Sequence, residues 1–504
     1  MSDRAVAVIG AGPAGLTAAY ALAKAGTKVT VLEADPVHVG GIARTARYKG
    51  YHFDIGGHRF FSKSREIEDL WTELLPDDML ERPRSSRIFY GGKFYDYPLK
   101  GLEALRNLGL LEAALCVASY ARARLFPVEK PRNLEEWVTN EFGARLFRTF
   151  FKTYTEKVWG IPCTEISADW AAQRIQGLSL WKAARNALSR PAPPASRSDV
   201  VKTLIDTFRY PRKGPGMLWE ACAGHVQRMG GDVRLGRRVT GCAYDAATGL
   251  WMVTHVGADG DEQTLVASDV ISSAPMRELA RSLSPALSPG ALAAASSLHY
   301  RDFLTVVLIA PDRGVFDDNW IYVHDPTVKV GRIQNFKSWS PEMVPDPRMA
   351  CYGLEYFCFE GDGLWSSGDG ALLDRAKEEM QALGLVQASD VVDGCVVRQP
   401  KAYPVYDDGY ADRVAVVRAE IAQRFPGLHL VGRNGMHKYN NQDHAMMTAL
   451  LCAKNILAGE QRYDLWAVNQ DAEYHEAGER GGRGGGAGGA SGLRDVPVRM
   501  STAP

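Results

Sequence analysis

The hydrophobic positions at the start of the chain form two short apolar runs on either side of an alanine-rich stretch. Four apolar residues from Val6 lead into a glycine-rich turn, and a second apolar run ends at Glu33. The stretch between the runs has helical composition. This pattern predicts a strand, a tight turn, a helix that begins at the turn, and a second strand parallel to the first.

The glycine spacing in this unit predicts a dinucleotide-binding turn. Gly10 permits the turn, Gly12 lets the backbone approach a pyrophosphate, and Gly15 allows the helix to pack closely on the strand. The free N–H groups and the dipole of the helix favour the phosphate charge. Glu33 lies where a carboxylate accepts both ribose hydroxyls and repels a 2′-phosphate. We therefore expect FAD or NAD to bind here.

Further along the chain, helical and strand patterns alternate. Helical patterns run from about Glu66 to Leu75 and from Leu102 to Arg190, where the proline-rich RPAPPASRS is typical of a linker. GGDVRLGRRVTGCAYD predicts two short strands. The later runs LTVVLIA, NWIYVHD and MACYGLEYFCFE predict a sheet that forms a floor and a wall over the cofactor.

Composition and charge narrow the class of protein. A chain of 504 residues is too long for a single hydrophobic core, so more than one domain is expected. The 59 basic residues balance the 59 acidic ones, so the net charge does not indicate a nucleic-acid partner. The eight cysteines are scattered without metal-ligand spacing, so we expect reduced core residues and no metal site. No window has the ~20 uninterrupted apolar residues that a membrane span requires. A cytoplasmic location is therefore expected.

Two segments have unusual composition. GLLEAALCVASYARARLFPV, from Gly109, is apolar and ends in arginines, and we favour a buried domain helix there over a membrane-surface helix. The glycine-rich stretch from Gly478 has little apolar surface to bury, so we expect a disordered tail.

The residues after Glu33 resemble a known FAD family. EADPVHVGGIARTAR and YHFDIGGHRFF are similar to segments of amine oxidases, protoporphyrinogen oxidases, phytoene desaturases and UDP-galactopyranose mutases. LHLVGRNGMHKYNNQDHAMMTALLCAKNI resembles the last strand, turn and helix of the same family, with Met446 or its neighbours near the flavin ring. Beyond the first turn and Glu33, the resemblance implies a set of FAD-contacting residues: Gly41, Arg44, Gly57, His58, Val239, Gly432, Arg433 and Asp443.

Within this family the chain is most similar to the mutases. FGARLFRTFFKTYTEKVWGIPCTEISADWAAQRI and VGRIQNFKSW resemble mutase segments that bind a nucleotide sugar. The resemblance implies that Tyr154 stacks on the base, Trp159 lies on a mobile loop, and Arg174 and Arg332 hold the diphosphate. Tyr439, beside the flavin, is a further substrate-binding residue by the same resemblance. Two segments depart from the mutase pattern: Phe61 replaces a histidine, and Asn440 and Asn441 replace a tyrosine and an aspartate.

The resemblance implies an α/β fold, with a Rossmann-type FAD-binding domain, an inserted helical domain and a mixed-sheet substrate region. The expected boundaries are 1–65, 201–290 and 401–465 for the FAD-binding parts, 66–200 for the helical lid, 291–400 for the substrate sheet, and 466–504 for the tail.

Two chemistries fit these residues. In a mutase-like enzyme, reduced flavin attacks the anomeric carbon of a nucleotide sugar, with His58, Arg174 and Arg332 as the catalytic groups. In an oxidoreductase, FAD takes a hydride from an amine, a carbon or a hydroxyl substrate, and His58 or Lys337 assists proton removal. We favour the mutase-like chemistry from sequence, while the sugar, the electron donor and a homo-oligomeric state stay open.

Overall fold

The computed structural model describes residues 4–97, 99, 101–166, 168 and 207–468. Twenty strands lie in these ranges: β1 Ala5–Ile9, β2 Lys28–Leu32, β3 Thr45–Tyr48, β4 Tyr51–Asp54, β5 Met79–Pro83, β6 Ser86–Tyr90, β7 Lys93–Asp96, β8 Thr207–Pro211, β9 Asp232–Arg234, β10 Arg238–Asp245, β11 Leu250–Val256, β12 Glu262–Ala267, β13 Asp269–Ser272, β14 Leu283–Ser284, β15 Tyr300–Pro311, β16 Trp320–Val323, β17 Arg332–Asn335, β18 Met349–Cys358, β19 Asp393–Pro404 and β20 Leu428–Leu430.

Fifteen α-helices lie in the same ranges: α1 Pro13–Lys24, α2 Arg65–Leu74, α3 Gly101–Leu108, α4 Leu110–Leu125, α5 Leu134–Phe142, α6 Ala144–Phe147, α7 Thr153–Trp159, α8 Gly216–Arg228, α9 Met276–Ser282, α10 Pro289–Ser296, α11 Phe336–Trp339, α12 Asp369–Ala382, α13 Tyr410–Arg424, α14 Gly432–Gly435 and α15 Gln442–Ala458. A π-helical turn, Arg148–Lys152, joins α6 to α7. A short 3₁₀ turn, Gly41–Ala43, follows the first unit.

The predicted strand–helix–strand unit is confirmed. β1 and β2 pair in parallel from Ala5 opposite Lys28 to Ile9 opposite Leu32, and α1 connects them. They belong to a five-stranded parallel sheet with the order β20-β13-β1-β2-β9. The apolar side chains of β1 are buried because helices cover this sheet, as is usual for parallel sheets. The carboxyl ends of β1, β13 and β20 therefore meet at one edge.

A seven-stranded sheet with the order β19-β15-β18-β17-β16-β6-β7 forms the second large layer. The expected runs at 304–310, 319–325 and 349–360 are its strands β15, β16 and β18. The segment 66–200, which we expected to be helical, also contains three strands, which is a correction: β6 and β7 belong to this sheet, and β5 pairs with β8 in a separate two-stranded sheet. β6 and β7 pair around Gly91 and Gly92, whose positive φ angles permit a tight hairpin turn.

Helix α4 also corrects the sequence interpretation, which favoured a buried helix. Among its residues only Cys116 and Ala123 are buried, while Leu110 is 92% exposed and Leu111 is 78% exposed. The helix packs one narrow side against α5 and α6, and Glu112 pairs with Arg145 there. Its opposite side has no cover among the described residues.

Three expectations fall partly or wholly outside the described residues: the role of Arg174, the proline-rich linker, and the tail from residue 469 onward. The first tail residues differ from the expectation. Leu465–Ala467 forms a short helical turn, and Lys438 Nζ donates hydrogen bonds to the carbonyls of Trp466 and Val468. The eight cysteines form no disulfide, and seven of them are buried, which agrees with reduced core residues.

Candidate functional site

The glycine turn after β1 leaves a space above its backbone. Gly10 has a φ of 95°, and a side chain at Gly15 would place its Cβ 1.8 Å from the carbonyl oxygen of Gly10. A Cβ on Gly12 would meet only the Cα of Gly41, at 3.9 Å. The N–H groups of the first turn of α1 lack partners within the helix and point toward this space. The turn therefore fits a pyrophosphate.

Glu33 lies beside this turn at the end of β2. Its Oε2 accepts a hydrogen bond from the N–H of Ala11 at 2.6 Å, and its Oε1 accepts one from Asp35 at 2.8 Å. These bonds fix the orientation of the carboxylate. An ionised carboxylate has about four acceptor positions, so capacity is left for the two hydroxyls of a ribose.

Arg44 lies on the other side of the turn. Its Nη1 donates to the carbonyl of Gly41 at 3.0 Å and to Oε1 of Gln399 at 2.8 Å. Burial lowers the pKa of Arg44, while the nearby carboxylates of Asp35 and Glu33 act in the opposite direction. Gln399, on β19, links the glycine turn to the seven-stranded sheet and was not expected from the sequence.

The GGHRFF segment brings Gly57 and His58 against β17. A Cβ on Gly57 would lie 3.0 Å from Nε2 of Gln334, so only glycine fits without a shift. Nδ1 of His58 lies 3.0 Å from the carbonyl oxygen of Gly56. Because a carbonyl oxygen can only accept a hydrogen bond, Nδ1 carries the proton. Burial, aided by the charge of Arg433, lowers the pKa of His58 to about 3. The ring is therefore neutral near pH 7 and presents Nε2 as an acceptor.

The last turn of the parallel sheet closes over α1. The N–H of Gly432 donates to Oγ1 of Thr448 at 3.1 Å, and a Cβ on Gly432 would lie 2.9 Å from the Cβ of Ala14. Arg433 donates to the carbonyls of Asn440 and Ala402. Its guanidinium lies over two tyrosine rings, 4.9 Å from the centroid of Tyr403 and 5.2 Å from that of Tyr439.

Helix α15 begins directly after this turn. Its N-cap residue Asn441 forms a capping box with His444, whose Nδ1 accepts the N–H of Asn441. Asp443 is buried in the first turn, 3.9 Å from His444. Met446 is buried and accepts a hydrogen bond from Trp71, and the position of Met446 or its neighbours near the flavin ring stays a prediction.

Arg332 and Glu355 lie opposite each other on β17 and β18. Nε and Nη2 of Arg332 donate to one oxygen of Glu355 at 2.8 and 2.5 Å. Burial alone would lower the pKa of Arg332, but the carboxylate outweighs it and holds the pKa well above its usual value. The other oxygen of Glu355 accepts from Gln334, which in turn accepts from Trp339. The charge of Arg332 is thus compensated within the protein.

Aromatic rings surround this pair. Tyr154 stacks on His324 with centroids 4.8 Å apart and contacts Tyr322 edge-on. Tyr403 and Tyr439 stack with centroids 5.6 Å apart and planes 9° from parallel. We call Tyr154, Tyr322, Tyr403 and Tyr439 the aromatic wall. Burial raises the pKa values of Tyr154 and Tyr403, so both hydroxyls stay neutral over the physiological range.

Trp159 lies at the end of α7, where two cations hold the helix to the sheet. Nζ of Lys157 donates to the carbonyls of Val323, Asp325 and Val330, and burial lowers its pKa to about 8. Arg301 donates to the carbonyls of Lys157 and Val158. Trp159 itself stacks on Tyr406, with a centroid distance of 6.3 Å.

The remaining expected residues lie elsewhere. Val239 pairs with His255 in the four-stranded sheet β12-β11-β10-β14, and its contact with adenine stays a prediction. Lys337 is bound to Asp312 and to the carbonyl of Pro347, and its role as a base stays a prediction. The sequence did contain a signal for Glu355, because it is the only charged residue in the apolar run MACYGLEYFC.

Comparisons with known proteins agree with this geometry. Residues 13–457 match the family described as flavin containing amine oxidoreductase. Phytoene desaturase of Fusarium fujikuroi is 28% identical over 272 residues, which cover 49% of this chain and 46% of the desaturase. The chain thus spans about half the length of that relative. Coproporphyrinogen III oxidase of Mycobacterium leprae is 26% identical over 444 residues, covering 83% of this chain and 92% of that protein.

A solved structure shows the same fold. Reduced UDP-galactopyranose mutase superposes with a TM-score of 0.79 at 22% identity, covering 94% of this chain and 100% of the mutase chain. The glycine turn, Glu33 and the turn at Gly432 together fit FAD, which this family uses. The chain therefore belongs to the flavin containing amine oxidoreductase family.

Proposed function

We propose that the protein is an FAD-dependent oxidoreductase that removes a hydride from a saturated carbon of a largely apolar substrate. The observation that carries this proposal is the buried pair of Arg332 and Glu355. A nucleotide-sugar enzyme needs guanidinium charge for the diphosphate. Here the carboxylate of Glu355 already neutralises Arg332, so an anion bound at this position would gain little favourable electrostatic energy from the arginine.

The aromatic wall supports an apolar substrate. Its rings present faces and edges that bind hydrocarbon or conjugated groups, and aromatic contacts add about 0.5–1.5 kcal/mol per pair beyond area burial. Trp159, at the end of α7, contacts Tyr439 of the wall and stacks on Tyr406, so these two rings extend the aromatic surface. A substrate with a planar or extended apolar part fits such a lining better than a charged sugar phosphate.

The chain's own residues orient the substrate and exclude water. His58 has a pKa of about 3, which makes it a poor proton acceptor, so we assign it a positioning role through Nε2. FAD supplies the acceptor for the hydride and its two electrons when it is bound. The proton that accompanies oxidation leaves to solvent, and an external oxidant such as oxygen takes the electrons from the reduced enzyme.

Nucleotide-sugar isomerisation remains a second candidate because of one observation. Arg332 and Arg433 both act on the pKa of His58, so two guanidinium groups lie near the same ring. The similarity to the mutase supports the fold but not the substrate. In this candidate, reduced flavin is required and no net oxidation occurs.

A panel of substrates under anaerobic conditions distinguishes the two. Oxidised holoenzyme is mixed with primary and secondary amines, partly saturated polyenes, porphyrinogens, UDP-galactose and TDP-glucose. We expect an apolar compound to bleach the flavin and the nucleotide sugars to leave it oxidised. Isomerisation of a nucleotide sugar by the reduced enzyme, with no bleaching by any other compound, would reject the proposal.

A further inference from the structure

Helix α4 presents a continuous apolar face to solvent. At 100° per residue, six of its side chains fall within one third of the helix circumference, and all six are apolar and exposed: Leu110, Leu111, Ala114, Ala118, Ala121 and Leu125. Phe126, which is 78% exposed, and Val128 continue the surface past the helix end. We call these eight residues the α4 face. Isolated exposed apolar residues are ordinary, whereas a contiguous face of this kind indicates a binding surface.

Basic side chains border the α4 face. Arg122 and Arg124 flank it on the helix, Arg106 precedes it, and Lys130 follows it, all of them exposed. The only acid in α4, Glu112, is already paired with Arg145 on the packed side of the helix. Two acids lie near its exposed end: Glu129, and Glu141 on α5, which lies 3.8 Å from Arg124. The border of the face is therefore positively charged.

The helix is held firmly in this orientation. Tyr120 lies against Gly143, where an added Cβ would come within 2.7 Å of the Tyr120 backbone. Oγ of Ser119 accepts the N–H of Arg145. The chain continues from α6 through the π-helical turn into α7, which carries Tyr154 and Trp159. The α4 face thus belongs to the same helical unit as part of the candidate substrate site.

We propose that the α4 face docks the protein on an anionic membrane surface, with the helix parallel to the bilayer plane. In this orientation the apolar face contacts the lipid acyl chains, and the bordering arginine and lysine side chains contact the acidic headgroups. Sixteen residues give a helix of about 24 Å, which suits lying in the interface. Within the described ranges, no helix is long and apolar enough to cross a membrane.

Charge favours this occupant over a second copy of the chain. Two α4 faces packed together would bring their arginine borders near each other, and Glu112 is not free to pair with them. Acidic lipid headgroups meet the same borders with opposite charge, and each nearby basic residue strengthens such binding severalfold. This inference does not rest on the proposed hydride chemistry.

Flotation of the full FAD-loaded protein with vesicles tests the proposal. Wild-type protein should float with phosphatidylcholine vesicles that contain phosphatidylglycerol, and bind weakly to phosphatidylcholine alone. A combined Leu110→Ser, Leu111→Ser and Leu125→Ser variant should lose binding by at least about tenfold, since three large apolar contacts are removed. Arg122→Gln with Arg124→Gln should reduce binding to the anionic vesicles only.

A matched control changes three exposed apolar residues elsewhere: Val266→Ser, Val392→Ser and Leu457→Ser. This control should float like the wild type, and all variants should keep their flavin and circular dichroism spectrum. The proposal is overturned if wild-type protein stays in solution with both vesicle types, or if the α4 variant floats as well as the control. It is also overturned if the wild type is a dimer that the α4 variant dissociates, because the face would then be a self-interface.

Discussion

The guanidinium of Arg332 donates two hydrogen bonds to a single oxygen of Glu355, whose side chain has no exposed surface. The two residues are direct cross-strand neighbours on β17 and β18. Both groups of such a buried ion pair have lost their hydration. Removing the charge of one group therefore leaves the other buried without compensation. The pair therefore controls both the stability and the charge of the candidate substrate site.

Replacing Glu355 with glutamine should destabilise the protein strongly. Arg332 would remain buried without a counter-charge, which costs about 3–5 kcal/mol. Urea unfolding monitored by tryptophan fluorescence measures the change in the free energy of unfolding. Glu220→Gln is the control, because it breaks the exposed pair with Arg47 and should cost no more than about 1 kcal/mol. Equal, small losses for both variants would show that the Glu355 charge is unimportant.

Gly15→Ala should disrupt the junction of β1 and α1. Its Cβ would lie 1.8 Å from the carbonyl oxygen of Gly10, a backbone atom that cannot move aside easily. We expect a loss of about 1–3 kcal/mol in the free energy of unfolding. Gly290→Ala, also near a helix start but with open space around it, should be neutral or stabilising by up to about 1 kcal/mol. A tolerated Gly15→Ala variant would contradict the close packing.

Gly12→Ala should separate cofactor binding from folding. The added methyl group meets no protein atom closer than 3.9 Å, so the free energy of unfolding of the FAD-free protein should change by less than about 0.5 kcal/mol. The methyl group would occupy the space needed by the pyrophosphate, so FAD affinity should fall by at least about tenfold. Titration of the FAD-free protein with FAD measures this. Unchanged affinity would show that the pyrophosphate lies elsewhere.

His58 should make the protein less stable at acidic pH. Its pKa is about 3 in the folded protein against 6.5 ordinarily, so the unfolded chain binds more protons between these values. Stability therefore falls as pH falls from 6.5 toward 3. His58→Gln should reduce the slope of unfolding free energy against pH by up to about 1.4 kcal/mol per pH unit. An equally steep slope in His58→Gln would contradict the assignment.

The first strand–helix–strand unit could be predicted because it depends on neighbouring residues in the chain. Gly10, Gly12 and Gly15 specify a turn whose geometry follows from local backbone freedom. The strands of the substrate sheet were likewise visible as apolar runs of suitable length. Local patterns of this kind specify the same turn or strand whatever the rest of the fold is.

The charge state of the site could not be predicted in the same way. The resemblance to a mutase segment implied that Arg332 is a diphosphate ligand, and that role stays a prediction. The carboxylate that neutralises Arg332, Glu355, faces it only through the β17–β18 register, which the sequence does not show. The prediction that helix α4 is buried was wrong for a related reason. Its sequence is apolar on most sides, and only the positions of α5 and α6 determine which side is covered.

Single-turnover reduction of the flavin tests the central claim most directly. Oxidised holoenzyme is mixed anaerobically in a stopped-flow instrument with an apolar substrate found in the panel, in ordinary form and with deuterium at the reacting carbon. We predict loss of the visible flavin absorbance, slowed severalfold by deuterium, and no loss with UDP-galactose. Turnover of UDP-galactose by the reduced enzyme, with no substrate able to reduce the oxidised flavin, would contradict the hydride-transfer account.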